Sequence, residues 1–396
     1  MQQLVEKILG EIRDQGAISF ARFMEYALYC PVYGYYEKEE DTLGRHGDYY
    51  TSVSVGPLFG ELLALQFAEW LSQMEEHAGR TPARPVKLQL VEAGAHTGEL
   101  ARDILSWLHA YEPSLVQKIE YCIVEPSDRR QEWQRRMLAN FQPQVRWVKS
   151  LEECAGNASG PKDSAANRPG VRGIIFSNEL LDAMPVHRLG WDAANGNWFE
   201  WGVTSSDGRF TWLRLTEEDS ASRSNIVGNL DPLGMIGQAW PEELLRVLPD
   251  RFTVEVCPAA IQWWSQAAAI LKSGKLLAVD YGLTDEEWIS PARPEGTLRA
   301  YSDHHLSPDV LSNPGDQDLT AHVSFSALCR AGESAGLKTD GLFSQEQFLT
   351  RIAKAVFNGK ASFGDWTIER TRQFQTLTHP NHLGRFLRVL LQTQQR

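Results

Sequence analysis

Apolar residues along this chain follow two different periods, and the change between them falls near Val86. Before it, Leu4, Val5, Ile8, Leu9 and Ile12 recur at helical spacing, and Ser19 stands where it can cap a second helix over Phe20 to Tyr29. The next stretch, CPVYGYYEKEEDTLGRHGDYYTSVSVGPLFG, is aromatic, glycine-rich and without period. A helix resumes over Leu58 to Met74, and HAGRTPARP has the composition of a linker. After Val86, short apolar runs at Leu88, Ile119 to Val124, Val145 to Val148 and Gly173 to Phe176 predict strands. Helical patterns near Glu99 to His109 and Asp128 to Asn140 separate the first three. Strands alternating with helices predict an α/β fold with a mainly parallel, Rossmann-like sheet and binding groups at the strand carboxyl ends.

The alternation then breaks. Trp198 to Val203 and Phe210 to Leu215, joined by SSDG, predict an inserted β-hairpin. Phe252 to Val256 predicts a strand, Ala259 to Leu271 a helix, and Lys275 to Val279 a core strand. Residues 283 to 322 form a polar excursion too long for a simple connection. A helix over Ser324 to Ala335 and strands over Leu337 to Phe343 and Phe386 to Leu391 return to the core. The expected organisation is therefore a helical region at 1–85 covering a cofactor cleft and a first core part at 86–190. An inserted hairpin and irregular lobe at 191–250 follows, then a second core part at 251–396 containing the loop 283–322.

Composition narrows the class. A chain of 396 residues with 42% hydrophobic and 23% charged residues can bury a large core. The net charge of −12 argues against a nucleic-acid-coating surface, and no run of 18 apolar residues predicts a membrane span. Five scattered cysteines without a C-x-x-C pair, and a first helix of mixed charge, lead to the expectation of a cytoplasmic protein.

Chemistry concentrates at the ends of the predicted strands. In LQLVEAGAHTGEL, Glu92 ends a strand, and Gly94 and Gly98 bracket a turn into a helix whose first N–H groups a ligand could approach. His96 stands where the dinucleotide pattern G-x-G-x-x-G has its second glycine. An acid before the turn suits a cofactor with a cationic amino-acid end, which points to S-adenosylmethionine (SAM), although a plain β–turn–α connection would also use these glycines. Glu125 ends the next strand, where a carboxylate can accept from both hydroxyls of a ribose. Ser150 and Leu151, after the third strand, would lie near an adenine. Asn178, Glu179 and Asp182 follow the fourth, where carboxylates could align a guanidinium or simply cap a turn. Asp303, His304 and His305 do not read as a metal site, since adjacent loop residues rarely converge on one ion.

With these residues in place, the chain resembles the MidA-like family of SAM-dependent methyltransferases, whose activity includes protein arginine methylation in respiratory complex I assembly. The match runs in order through FMEYALYCPVYGYY, GDYYTSVSVGPLFGELLA, LQLVEAGAHTGEL, YCIVEPS, SNELLDAMPVHRL, VEVCP, LLAVDYG, GTLRAYSDHH, PGDQDLTAHVSFSAL and HLGRFLRVLL. The resemblance implies a seven-stranded methyltransferase sheet with inserted substrate-capping segments. It implies a SAM site at Glu92, Gly94, Gly98 and Glu125, with Gly47, Asp48 and Thr51 closing over it, and an acceptor pocket at Asn178, Glu179 and Asp182. The implied partner is an arginine-bearing protein, such as a respiratory complex subunit; the oligomeric state, a dimer included, stays open. One departure stands out. The family loop reads E-L-G-P-G-x-G and this one EAGAHTG, so that His96 either crowds the methionine end of SAM or points outward. Two alternatives remain: a SAM-binding assembly factor without catalysis, and a small-molecule methyltransferase.

Overall fold

The structure is a computed structural model that describes residues 2–38, 51–78, 87–155, 170–216, 241–302, 305–359 and 362–395. The chain forms two compact units. One comprises Thr51–Leu180, Trp263–Asp280 and Ala331–Arg396; the other comprises Met1–Tyr50, Leu181–Gln262 and Tyr281–Arg330.

The first unit is built on seven strands: β1 (Leu88–Ala93), β2 (Ile119–Val124), β3 (Val145–Val148), β4 (Val171–Asn178), β5 (Leu271–Leu283), β6 (Lys338–Ser344) and β7 (Leu387–Gln394). Their order is β6-β7-β5-β4-β1-β2-β3. Strands β3, β2, β1, β4 and β5 pair in parallel, and β6 runs antiparallel to β7. Leu90, Val91, Cys122, Ile123, Ile174, Ile175, Leu276 and Leu277 are fully buried, the continuous apolar filling that a sheet covered on both faces requires. The strand order reverses between β1 and β4. That switch point opens a crevice at the carboxyl ends of both strands, where α/β sheets bind ligands.

Helix Glu99–Tyr111 follows β1 and packs against helix Leu58–Ala78, with Leu100 and Ile104 beside Gly60. Helix Asp128–Met137 follows β2 and ends in a 3-10 turn, shorter than its polar sequence suggested. Two further helices, Gln345–Phe357 and Ile368–Thr378, complete this unit.

The second unit is mainly antiparallel. The expected hairpin is present as Asn197–Ser206 and Arg209–Arg214, closed by Asp207 and Gly208 at φ +51° and +75°. It is part of a larger sheet, because His187–Asp192 lies between Asn197–Ser206 and Thr253–Val256, and Ile18–Ser19 joins the far edge. The polar excursion carries a small three-stranded sheet of Arg299–Ser302 between His305–Leu306 and Asp318–Thr320. Helices Gln2–Gln15 and Phe20–Tyr29 contribute Leu4, Ile8, Phe20 and Phe23 to a core shared with Val186, Val203, Leu298 and Leu319. No described helix is long and apolar enough to cross a membrane. Among the described residues no group of three or more His, Cys, Asp or Glu side chains could hold a metal ion; Asp303 and His304 lie outside them.

Candidate cofactor and acceptor site

Strand β1 delivers Glu92, only 2% exposed, to the crevice end of the sheet. Tyr121 of β2 donates its hydroxyl to Glu92 Oε2 at 2.6 Å. Burial pushes the Glu92 carboxyl up to about 7, against the opposing pull of the Tyr121 hydrogen bond. The loop beyond it turns through three left-handed residues, Gly94 at φ +76°, His96 at +45° and Gly98 at +92°. At Gly94 a Cβ would stand 2.7 Å from Leu180 Cδ1, so the loop passes close to the turn after β4. At Gly98 a Cβ would meet Gln134 Cα at 3.5 Å, an ordinary contact. Its left-handed backbone, rather than lack of room on that side, calls for glycine there. His96 is half-buried and its imidazole is pushed down to about 3 by burial and the Arg130 guanidinium, which keeps it neutral.

Strand β2 ends in Glu125, 1% exposed. Its Oε1 accepts from the Ser127 N–H at 2.9 Å and pairs with Arg130 at 3.0 Å; its Oε2 accepts from Gln134 Nε2 at 3.2 Å. After β3, Ser150 is half-buried at the cap of helix Leu151–Cys154, and Leu151 is buried.

Strand β4 ends in Asn178 and Glu179. Glu179 has φ +48°, uncommon outside glycine and typical of sites where backbone strain is held by the surroundings. Its N–H donates to Val279 of β5 at 2.8 Å, and its Oε1 accepts from the Ser52 N–H at 3.0 Å and Asn178 Nδ2 at 3.2 Å. Asn178 Oδ1 is buried without a hydrogen-bond partner among the described residues. Thr51 and Ser54 exchange side-chain-to-backbone bonds of 3.1 Å, a local turn that fixes the amide of Ser52.

The structure thus gathers Glu92, Gly94, Gly98, Glu125, Thr51, Asn178 and Glu179 in the sheet unit. Asp182 is 4% exposed and belongs to the antiparallel unit, where its carbonyl accepts from Ala321 N–H at 2.9 Å. Nearby in that unit, Tyr36 donates to Asp318 at 2.7 Å; burial first, then Asp318, Tyr29 and Asp182, raise its phenol. Gly47 and Asp48 lie outside the described residues. Ser52, Arg130 and Gln134 escaped the reading of the sequence. For Gln134 a signal existed, since helix Asp128–Met137 buries Gln131 and Gln134 in place of an apolar stripe.

These groups suit a nucleoside bearing an amino acid. The Glu92 carboxyl can meet a cationic amino group, Glu125 can accept ribose hydroxyls, and Asn178 Oδ1, without a partner among the described residues, can take a donor.

A family model described as "Putative S-adenosyl-L-methionine-dependent methyltransferase" matches residues 62–343. Protein arginine methyltransferase NDUFAF7, mitochondrial, of Mus musculus is 31% identical over 362 residues, with 88% of this chain and 74% of the relative covered. The Xenopus tropicalis protein of the same name is 29% identical over 361 residues, with 88% and 75% covered. The crystal structure of a Burkholderia thailandensis protein bound to S-adenosyl-homocysteine superposes with a TM-score of 0.76 at 27% identity, covering 99% of this chain and 92% of that one. Both named relatives are mitochondrial, which overturns the expected cytoplasmic location. Cysteine count and charge describe a folded core, and a folded core carries no compartment address. With the sheet order, the loop after β1 and these matches together, the chain belongs to the family of S-adenosyl-L-methionine-dependent methyltransferases, whose fold and cofactor it shares.

Proposed function

We propose that this methyltransferase acts on the guanidinium of an arginine side chain in a protein partner. Glu179 carries the proposal. Its carboxylate stands at the end of β4, beside the β1 loop, and its Oε1 is held by Ser52 and Asn178. The names of the relatives, protein arginine methyltransferase, support the same acceptor. Glu92, the β1 loop and Glu125 would hold SAM, whose sulfonium would give up its methyl group to the guanidinium nitrogen and leave as S-adenosyl-homocysteine while that nitrogen loses a proton to solvent. Glu179 orients the guanidinium fork and draws its positive charge away from the attacking nitrogen, which restores nucleophilicity there. The Ser52 and Asn178 donors keep that carboxylate from turning, so orientation is set before the acceptor arrives. A respiratory complex subunit is the first partner to test.

Incubation with methyl-labelled SAM and cell extract, followed by hydrolysis of the labelled proteins, tests the proposal. Label recovered as methylarginine supports it. Label confined to small molecules, or transfer that persists unchanged in Glu179→Ala, overturns it. A SAM-binding factor without catalysis has less support, because His96 adopts the left-handed conformation the loop needs even without its glycine.

A further inference from the structure

Gln134 is fully buried on the helix after β2, and its amide is engaged at both ends. Nε2 donates to the His96 carbonyl at 2.9 Å and to Glu125 Oε2 at 3.2 Å, while Oε1 accepts from Trp147 Nε1 at 3.1 Å. An indole N–H can only donate, so Oε1 must face Trp147 and the amino group must face the two acceptors. One side chain therefore ties together the glycine loop after β1, the acid that ends β2, and β3. We infer that Gln134 is a positioning residue for SAM, fixing the loop carbonyl and the Glu125 carboxylate in the geometry that receives the cofactor. The inference rests on the reading that places the cofactor at the β1 loop and Glu125.

The chemistry favours this over simple packing. A helix laid on a parallel sheet ordinarily turns apolar residues inward, and at this position one would leave the Trp147 N–H and an oxygen of Glu125 without the donor–acceptor link. An amide supplies two donors and an acceptor at fixed angles without adding charge beside Glu125 and Arg130.

Calorimetric titration with SAM tests the inference in the full chain. Gln134→Met preserves volume and removes every hydrogen bond; SAM affinity should fall about 10- to 100-fold, with kcat at saturating SAM within about threefold of the parent. In Gln134→Glu the new carboxyl can still accept from Trp147 but faces Glu125 and the His96 carbonyl, with Arg130 alongside and the His96 imidazole neutral. It regains a donor only when protonated, so its affinity deficit relative to the parent should shrink as pH falls from 8 to 6. A purely structural role would lower thermal stability in both variants without this pH-dependent recovery. Unchanged SAM affinity in folded Gln134→Met, or a Gln134→Glu deficit independent of pH, overturns the inference. Glu125→Gln separates the two levels. If it binds SAM like the parent, the placement of the cofactor fails; if it weakens while Gln134→Met does not, only the role of Gln134 fails.

Discussion

Two acids end strands of the same sheet, Glu125 after β2 and Glu179 after β4, and they are held in opposite ways. Glu125 is sealed in, with a guanidinium on one oxygen and a side-chain amide on the other. Glu179 is half-buried, sits in a strained backbone conformation, and accepts from a main-chain N–H contributed by residue 52 and from the amide of its neighbour. A carboxylate matched internally by a cation suits neutral hydroxyl donors that need geometry more than charge. A carboxylate oxygen fixed by N–H donors is held at a set angle for an incoming donor. In the function proposed above, Glu125 would serve recognition of the cofactor and Glu179 the reaction.

The sharpest way to break this comparison is Glu179→Ala. Methyl transfer should drop about 1,000-fold while SAM affinity stays within about threefold, measured by turnover and calorimetry on the same preparation. An equal loss in both would mean that the two acids share one task.

Next in size is the pH dependence that Glu92 introduces. Its folded-state pKa, raised from 4.5 to about 7, makes the protonated form the one the fold favours. Its contribution is therefore complete below about pH 4.5 and is lost as pH rises through about 7, a difference of about 3 kcal/mol at most. Glu92→Gln should accordingly unfold at higher temperature than the parent at pH 8 and differ little at pH 5. SAM affinity of the parent should rise over the same interval, because a cationic amino group needs the ionised carboxylate; a flat profile would detach Glu92 from the cofactor.

Glu125→Gln, the counterpart of the first variant, should weaken SAM about 10- to 100-fold and spare kcat at saturation. A contrast of two substitutions at one position sharpens the loop. Gly98→Val should lose SAM binding with about 1–3 kcal/mol of destabilisation, whereas Gly98→Asn, which tolerates a left-handed backbone, should retain most of both. If Asn fares no better than Val, room for the ligand rather than conformation governs that position.

Much of the sheet could be read directly. Strands β2 and β3 coincide residue for residue with the expected runs, because buried parallel strands are mostly apolar, here broken only by Glu120 and Arg146. The strand His187–Asp192 is invisible by period, since HRLGWD mixes charge and glycine and is held by neighbours on both sides. The three-stranded sheet of the excursion has strands of two to four residues, too short for any period to show. Helix Gln345–Phe357 was legible in principle, for Ser344 and Gln347 form a capping box. At the proposed site, Glu92, Glu125, Asn178 and Glu179 were legible as candidates because each lies at or just after the carboxyl end of a strand. Ser52 could not: it acts through a backbone N–H on a residue 127 positions away, and a backbone donor leaves no trace in residue type.

The antiparallel unit is assembled from three separated stretches of chain, 1–50, 181–262 and 281–330, and its core interleaves all of them, Phe20 with Val203 and Leu319. Its segments leave the sheet unit at the end of β4 and near the end of β5. For recombination between related genes this is a strong constraint. A crossover anywhere between codons 50 and 181 would splice helices from one parent onto strands from another and mismatch one hydrophobic core. The sheet unit, itself assembled from 51–180, 263–280 and 331–396, is bound by the same rule, so change in this lineage should come by point substitution within co-inherited segments rather than by exchange of a cassette.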